Sequence, residues 1–185
     1  MAERRRTYNG QQEQREYLVN APLLNDISDT GSEQVPIDVW LHGVGNTGVV
    51  FSPEGGVALR LPNRFFHAGF YRTAPYFLEF EFKMDSLIGN QVIFELGTQQ
   101  SQVILQGDGT GIFTLSGAGS VTLEPGRWYK ILTEFGQNQL TVTVGAQRLT
   151  LEVNWPTSRF GIGCRFRSSF QGTLNGLIRN LKVWE

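Results

Sequence analysis

Short segments in which every second residue is apolar follow one another along most of this chain, and that period of two is the signature of half-buried β-strands. The clearest lies at 76–85, where Tyr76, Leu78, Phe80, Phe82 and Met84 fall on one face and Glu79, Glu81, Lys83 and Asp85 mainly on the other. Similar alternation places strands around Val57 to Leu61, Val92 to Leu96, Val103 to Leu105, Ile112 to Leu115, Trp128 to Phe135, Phe160 to Phe166 and Leu174 to Trp184. Between them stand turn residues such as Gly107-Asp108-Gly109 and Pro125-Gly126. Leu140, Val142 and Val144 pair naturally with Leu149, Leu151 and Val153 through Gly145-Ala146, because glycine first in a two-residue loop suits a type II′ turn.

These strands of about five to eight residues, recurring roughly every ten, predict an all-β, two-sheet antiparallel sandwich. Composition agrees, since 22 glycines, 13 phenylalanines and 4 tryptophans in 185 residues suit many turns joining aromatic-rich strands. The first stretch differs. Residues 1–34 are dominated by Gln, Glu, Asn, Arg and Ser with scattered apolar positions, which predicts a polar N-terminal arm ahead of a jelly-roll domain at 35–185. A short helix over Gln11 to Val19 would lack an apolar stripe, so the arm is expected to take its order from another molecule. Removal of residues 1–34 is accordingly expected to leave a folded sandwich that no longer assembles.

A net charge of −1, with lysine only at Lys83, Lys130 and Lys182, offers no field suited to phosphate neutralisation, so nucleic acid is not expected as a partner. Arg4, Arg5 and Arg6 are read, with Tyr17 and Leu18, as the partner-binding part of the arm. The lone Cys164 excludes an internal disulfide. The polar start of the chain and the absence of a long apolar run lead to the expectation of synthesis in a reducing cytoplasm without membrane insertion.

Gly126-Arg127-Trp128-Tyr129, the strand Leu140 to Val144 with its glycine turn, Phe160-Gly161-Ile162-Gly163, Phe170-Gln171-Gly172 and the stretch Gly176 to Trp184 occur in an order that resembles laminin G-like and concanavalin A-like domains. Val57 to Pro62 and Tyr76 to Met84 look like the opening strands of the same family, so the resemblance covers about 49–185. It implies a concanavalin A-like jelly roll. The superfamily includes lectins, adhesion modules, glycan-cleaving enzymes and viral appendage or coat proteins, so the fold leaves the function open.

Glu79 and Glu81, two apart on a strand and thus roughly 6 to 7 Å from each other, have a spacing that suits paired-carboxylate glycoside hydrolysis. The glycan-cleaving members carry a Glu-x-Asp-x-(x)-Glu strand, and Glu79-Phe80-Glu81-Phe82-Lys83 lacks the Asp and the closing Glu, so a solvated strand face is preferred. Asp108 between glycines reads as a turn residue rather than a calcium ligand, and His42, His67 and Cys164 form no recognised catalytic or zinc set. No metal or cofactor is expected. Trp40, Tyr71, Trp128 and Trp155 are candidate platforms for sugar rings, with Trp155 in a loop and Tyr71 chosen as ligand-binding positions.

Together these features predict a protein that is not an enzyme: a structural or interaction component of a bacteriophage virion, either capsid decoration or tail appendage. Its partners would be other copies of itself or capsid and tail proteins. The alternatives are a carbohydrate-binding, lectin-like module with a cell-surface glycan as partner, and a glycan hydrolase.

Overall fold

In the computed structural model, residues 17–24, 28–32, 38–40, 44–45, 48–51, 58–60, 76–87, 89–97, 102–136, 139–152, 160–163 and 174–185 are described. The described residues form fifteen strands and no helix. In chain order these are β1 (Val19–Ala21), β2 (Asp38–Trp40), β3 (Val44–Gly45), β4 (Gly48–Phe51), β5 (Ala58–Arg60), β6 (Tyr76–Met84), β7 (Val92–Gly97) and β8 (Gln102–Gly107). There follow β9 (Ile112–Leu115), β10 (Gly119–Thr122), β11 (Trp128–Phe135), β12 (Gln139–Val144), β13 (Gln147–Glu152), β14 (Phe160–Ile162) and β15 (Gly176–Trp184).

One sheet has eight strands in the order β13-β12-β11-β6-β15-β4-β3, with β1 also on β15; the other has seven in the order β10-β9-β8-β7-β14-β5-β2. Every pairing is antiparallel, so the all-β, two-sheet sandwich expected from the alternation is the fold of this chain. Leu78, Phe80, Phe82 and Met84 of β6 are fully buried, as their alternation requires, against Ile131 and Phe135 of β11 and Phe94, Leu105, Phe113 and Leu115 of the facing sheet. The hairpin β12–β13 forms in the expected register, Leu140 opposite Leu151 and Val142 opposite Leu149. Its turn has φ +59° at Gly145, and Ala146 is not among the positive-φ residues, as a type II′ turn demands.

The leading segment departs from expectation. Leu18 donates its N–H to Val183 O at 2.8 Å, β1 pairs with Leu181, Lys182 and Val183, and Asn180 N–H reaches Pro22 O at 2.9 Å. Val19, Ala21 and Leu23 are fully buried in the same core as β6. Residues 17–24 are therefore part of the sandwich, and the described end of the expected Gln11–Val19 helix is extended chain. The physical reason lies in β15: the bulge between Arg179 and Lys182 divides its far edge, β4 pairing with one half and β1 with the other. Without β1 the second half would expose its backbone and the core beneath it.

A second departure concerns β7 and the residue before it, where Gln91 and Glu95 are buried although alternation places them on a polar face. Gln91 donates its amide N–H to Ser86 O at 2.6 Å and accepts from Asn175 N–H at 2.8 Å, clamping the start of β15 to the end of β6. Thr133 is different. It points into the core, and its Oγ1 has no hydrogen-bond partner among the described residues. Replacing it with valine keeps the shape and removes the buried hydroxyl, so Thr133→Val is expected to stabilise by about 1 kcal/mol, raising Tm by roughly 2 to 4 °C in calorimetry.

Candidate functional site

The outward side of the eight-stranded sheet carries charges and aromatics in register. Glu79, Glu81 and Lys83 on β6 stand beside Leu132, Lys130 and Trp128 on β11, and beside Lys182, Arg179 and Leu177 on β15. Lys130 Nζ lies 3.1 Å from Glu79, and Arg179 Nε lies 2.7 Å from Glu81. The Arg179 guanidinium also sits 3.8 Å over the ring of Trp128, fixing one face of the indole. Both glutamates do share one strand face, but they are part-buried, at 16% and 25% exposure, and each is engaged by a cation rather than free in solvent.

Where this face meets the end of the hairpin there is an open recess of about 290 Å³. It is lined by Thr122 and Glu124, by Arg127 to Lys130 and by Val144 to Gln147. Alternation on β11 sends Tyr129 and Ile131 toward the core and their neighbours Trp128 and Lys130 outward, so the recess draws on both sides of this strand.

The walls are fixed by hydrogen bonds. Glu124 N–H donates to Tyr129 Oη at 2.8 Å, Gly126 N–H to Met84 O at 2.7 Å, and Gly145 N–H to Lys130 O at 3.1 Å. Gln147 uses both ends of its amide on the Thr122 backbone, each at 3.2 Å, tying β13 of one sheet to β10 of the other. Arg127 is exposed, lies 5.5 Å over the Tyr129 ring, and forms no ion pair among the described residues. Such a concavity, with two aromatic residues and several charged groups on a rigid frame, suits a small polar ligand having an apolar face.

The residues expected from sequence are distributed otherwise. Trp155, Tyr71, Arg4, Arg5 and Arg6 lie outside the described residues, as do His42, His67 and Cys164. Tyr17 and Leu18, read as contacts for another molecule, instead pack on their own domain: Tyr17 meets Trp184 edge-on at 5.8 Å, Lys182 lies 5.3 Å from the Tyr17 ring, and Leu18 packs against the core. Trp184 also stacks on Phe77, at 5.4 Å between ring centroids. Asp108 acts in a turn, its Oδ1 accepting from Thr110 Oγ1 at 2.6 Å and Thr110 N–H at 2.8 Å. Those bonds, the hydroxyl's first, hold its carboxyl below the usual aspartate range.

No protein-family model matches this chain, and no curated protein matches it in sequence. Solved structures do. Trypanosoma rangeli sialidase in complex with 2,3-difluoro-KDN has a TM-score of 0.66 at 16% identity over 91% of this chain and 30% of the sialidase. The same sialidase in complex with sialic acid gives 0.63 at 16% over 89% and 30%. A mutant of HCR D/C VPI 5995 gives 0.60 at 10% over 91% and 48%. The likeness is one of fold. This chain spans less than a third of the length of the sialidases and about half of HCR D/C.

The comparison corrects one expectation. The sialidases are enzymes, and the fold of this chain recurs within them, so the reading of the protein as a non-enzyme is not retained.

Proposed function

We propose that this chain is a carbohydrate-binding β-sandwich module, with the sugar seated in the recess between Trp128, Arg127 and the Gly145–Gln147 turn. The observation that carries the proposal is the recess itself: an indole with Arg179 stacked on its ring, beside an exposed guanidinium with no ion pair among the described residues. A sugar ring offers C–H faces for the indole and hydroxyl or carboxylate groups for Arg127 and Lys130. Arg127 is suited to two parallel hydrogen bonds from one planar group, the geometry that recognises a carboxylate or vicinal oxygens.

The fold likeness to part of a sialidase that is described in complex with sialic acid supports a sugar ligand over a virion role. A virion role presupposed a leader that orders on another molecule, whereas residues 17–24 order on β15 of the same chain.

The test is binding to a saccharide panel that includes sialic acid, measured by calorimetry for the wild-type chain, Arg127→Ala and Trp128→Ala. Loss of a charged hydrogen bond predicts about tenfold weaker binding or more for Arg127→Ala, with the unfolding midpoint unchanged because the side chain is exposed. Trp128→Ala is expected to remove measurable binding. Equal affinity in both variants, or no saccharide bound by the wild-type chain, would refute the proposal.

A further inference from the structure

We propose that the free edge of β13 is a self-pairing surface, through which two copies of this chain join in an antiparallel β13–β13 ladder about a twofold axis at Thr150. β13 ends the eight-stranded sheet, and among the described residues no strand pairs with its outer edge. It runs against β12 without a bulge from Gln147 to Glu152. Natural edges are commonly blocked by proline, charged side chains or a bulge; β13 has no proline and no bulge, and its two charges, Arg148 and Glu152, are of opposite sign.

The hairpin geometry decides which groups face outward. A two-residue turn makes Val144 and Gln147 a hydrogen-bonded pair, and the alternation of an antiparallel ladder then directs Leu149 and Leu151 toward β12. Arg148, Thr150 and Glu152 are left with N–H and C=O aimed at the open edge. Their side chains are exposed on the outward face; Arg148 is 66% exposed, and its contact with Glu134 is long, at 3.9 Å.

The sequence of this edge is self-complementary in one register. With Thr150 opposite Thr150 of the second copy, Arg148 meets Glu152, Glu152 meets Arg148, and Leu149 meets Leu151. Centring instead on Leu149 sets Arg148 against Thr150, and centring on Leu151 sets Thr150 against Glu152, so neither adjacent register pairs the two charges. Opposite charges thus favour the Thr150 register over its neighbours two residues away, which lose both ion pairs. An arbitrary peptide strand lacks this reciprocity, so a second copy is the occupant. The pairing would set the two Gln147 ends, and with them the two recesses, roughly 20 Å apart along the strands. It does not depend on what those recesses bind.

The experiment is sedimentation equilibrium over a concentration series, with circular dichroism and urea unfolding confirming each fold. The wild-type chain is expected to form a reversible dimer. Arg148→Glu and Glu152→Arg should each weaken it by about tenfold or more, and the double variant should restore it, because the swap regenerates both ion pairs. Thr150→Pro should remain monomeric, since the N–H it loses faces the open edge and not β12. A wild-type chain that stays monomeric throughout, a dimer indifferent to Thr150→Pro, or a double variant as weak as the single ones would overturn the proposal.

Discussion

A chain that starts at Asn25 is expected to lose most of its stability. The segment removed contributes Val19, Ala21 and Leu23 to the core, all fully buried, together with the β1–β15 ladder. Each large apolar side chain so buried is worth about 1.5 to 3 kcal/mol. Exposing the underside of Leu181 and Val183 adds to the loss. The total is about 4 to 8 kcal/mol, against a usual stability of about 5 to 15 kcal/mol for a domain. Gly31 and its neighbours also depend on the segment: Thr30 N–H bonds Asn20 O and Ser32 N–H bonds Tyr17 O, both at 2.9 Å. Urea unfolding should show a midpoint far below that of the full chain, or no cooperative transition. The milder Leu23→Ala should cost about 2 to 5 kcal/mol by cavity formation alone. An unchanged midpoint in the truncated chain would return residues 17–24 to the status of a dispensable arm.

Gly176→Ala is expected to be nearly as damaging, for a different reason. A Cβ at this position would overlap the carbonyl oxygen of Lys83 and stand 2.9 Å from its carbonyl carbon and 3.0 Å from Met84 Cα. The obstacle is backbone of the neighbouring strand, which cannot rotate away as a side chain could. β15 and β6 would have to separate where the Gln91–Ser86–Asn175 hydrogen bonds clamp them. Overpacking of this kind costs about 3 kcal/mol or more when the backbone must yield. Chemical denaturation of the variant measures it, and a loss below about 1 kcal/mol would show that the strands part more easily than their geometry implies.

The parts of the fold readable from sequence are those whose burial follows local alternation. β6 is the plainest case, because Leu78 to Met84 carry a full period-two pattern, and the β12–β13 hairpin announces itself through Gly145-Ala146. β1 announces nothing. Its three residues lie in a polar stretch, and their burial is set by a strand some 160 residues later, which no local window contains. The same holds for Gln91, which looks like a solvent-facing residue until Asn175, 84 positions away, completes its hydrogen bonds.

The site follows this division. The alternation of Trp128 with Tyr129 places the indole outside the core, so its availability was legible. Its partners were not, because Arg127, Gln147 and Arg179 converge from a turn, the start of β13 and β15. Arg179 faces Glu81 in the ladder register, a pairing fixed only once the order β11-β6-β15 is known. Trp155 and Tyr71 were chosen for their residue type and for the loop position of Trp155, whereas the recess is built largely from strand ends.

The most direct measurement is a nitrogen–proton NMR titration of the full chain with saccharides that include sialic acid. Amide shifts should move at residues 122–130 and 144–147 while those of β8 and β9 stay still. Shifts confined to another surface, or none at roughly 10 mM saccharide, where even millimolar affinity would saturate, would contradict a sugar site beside Trp128.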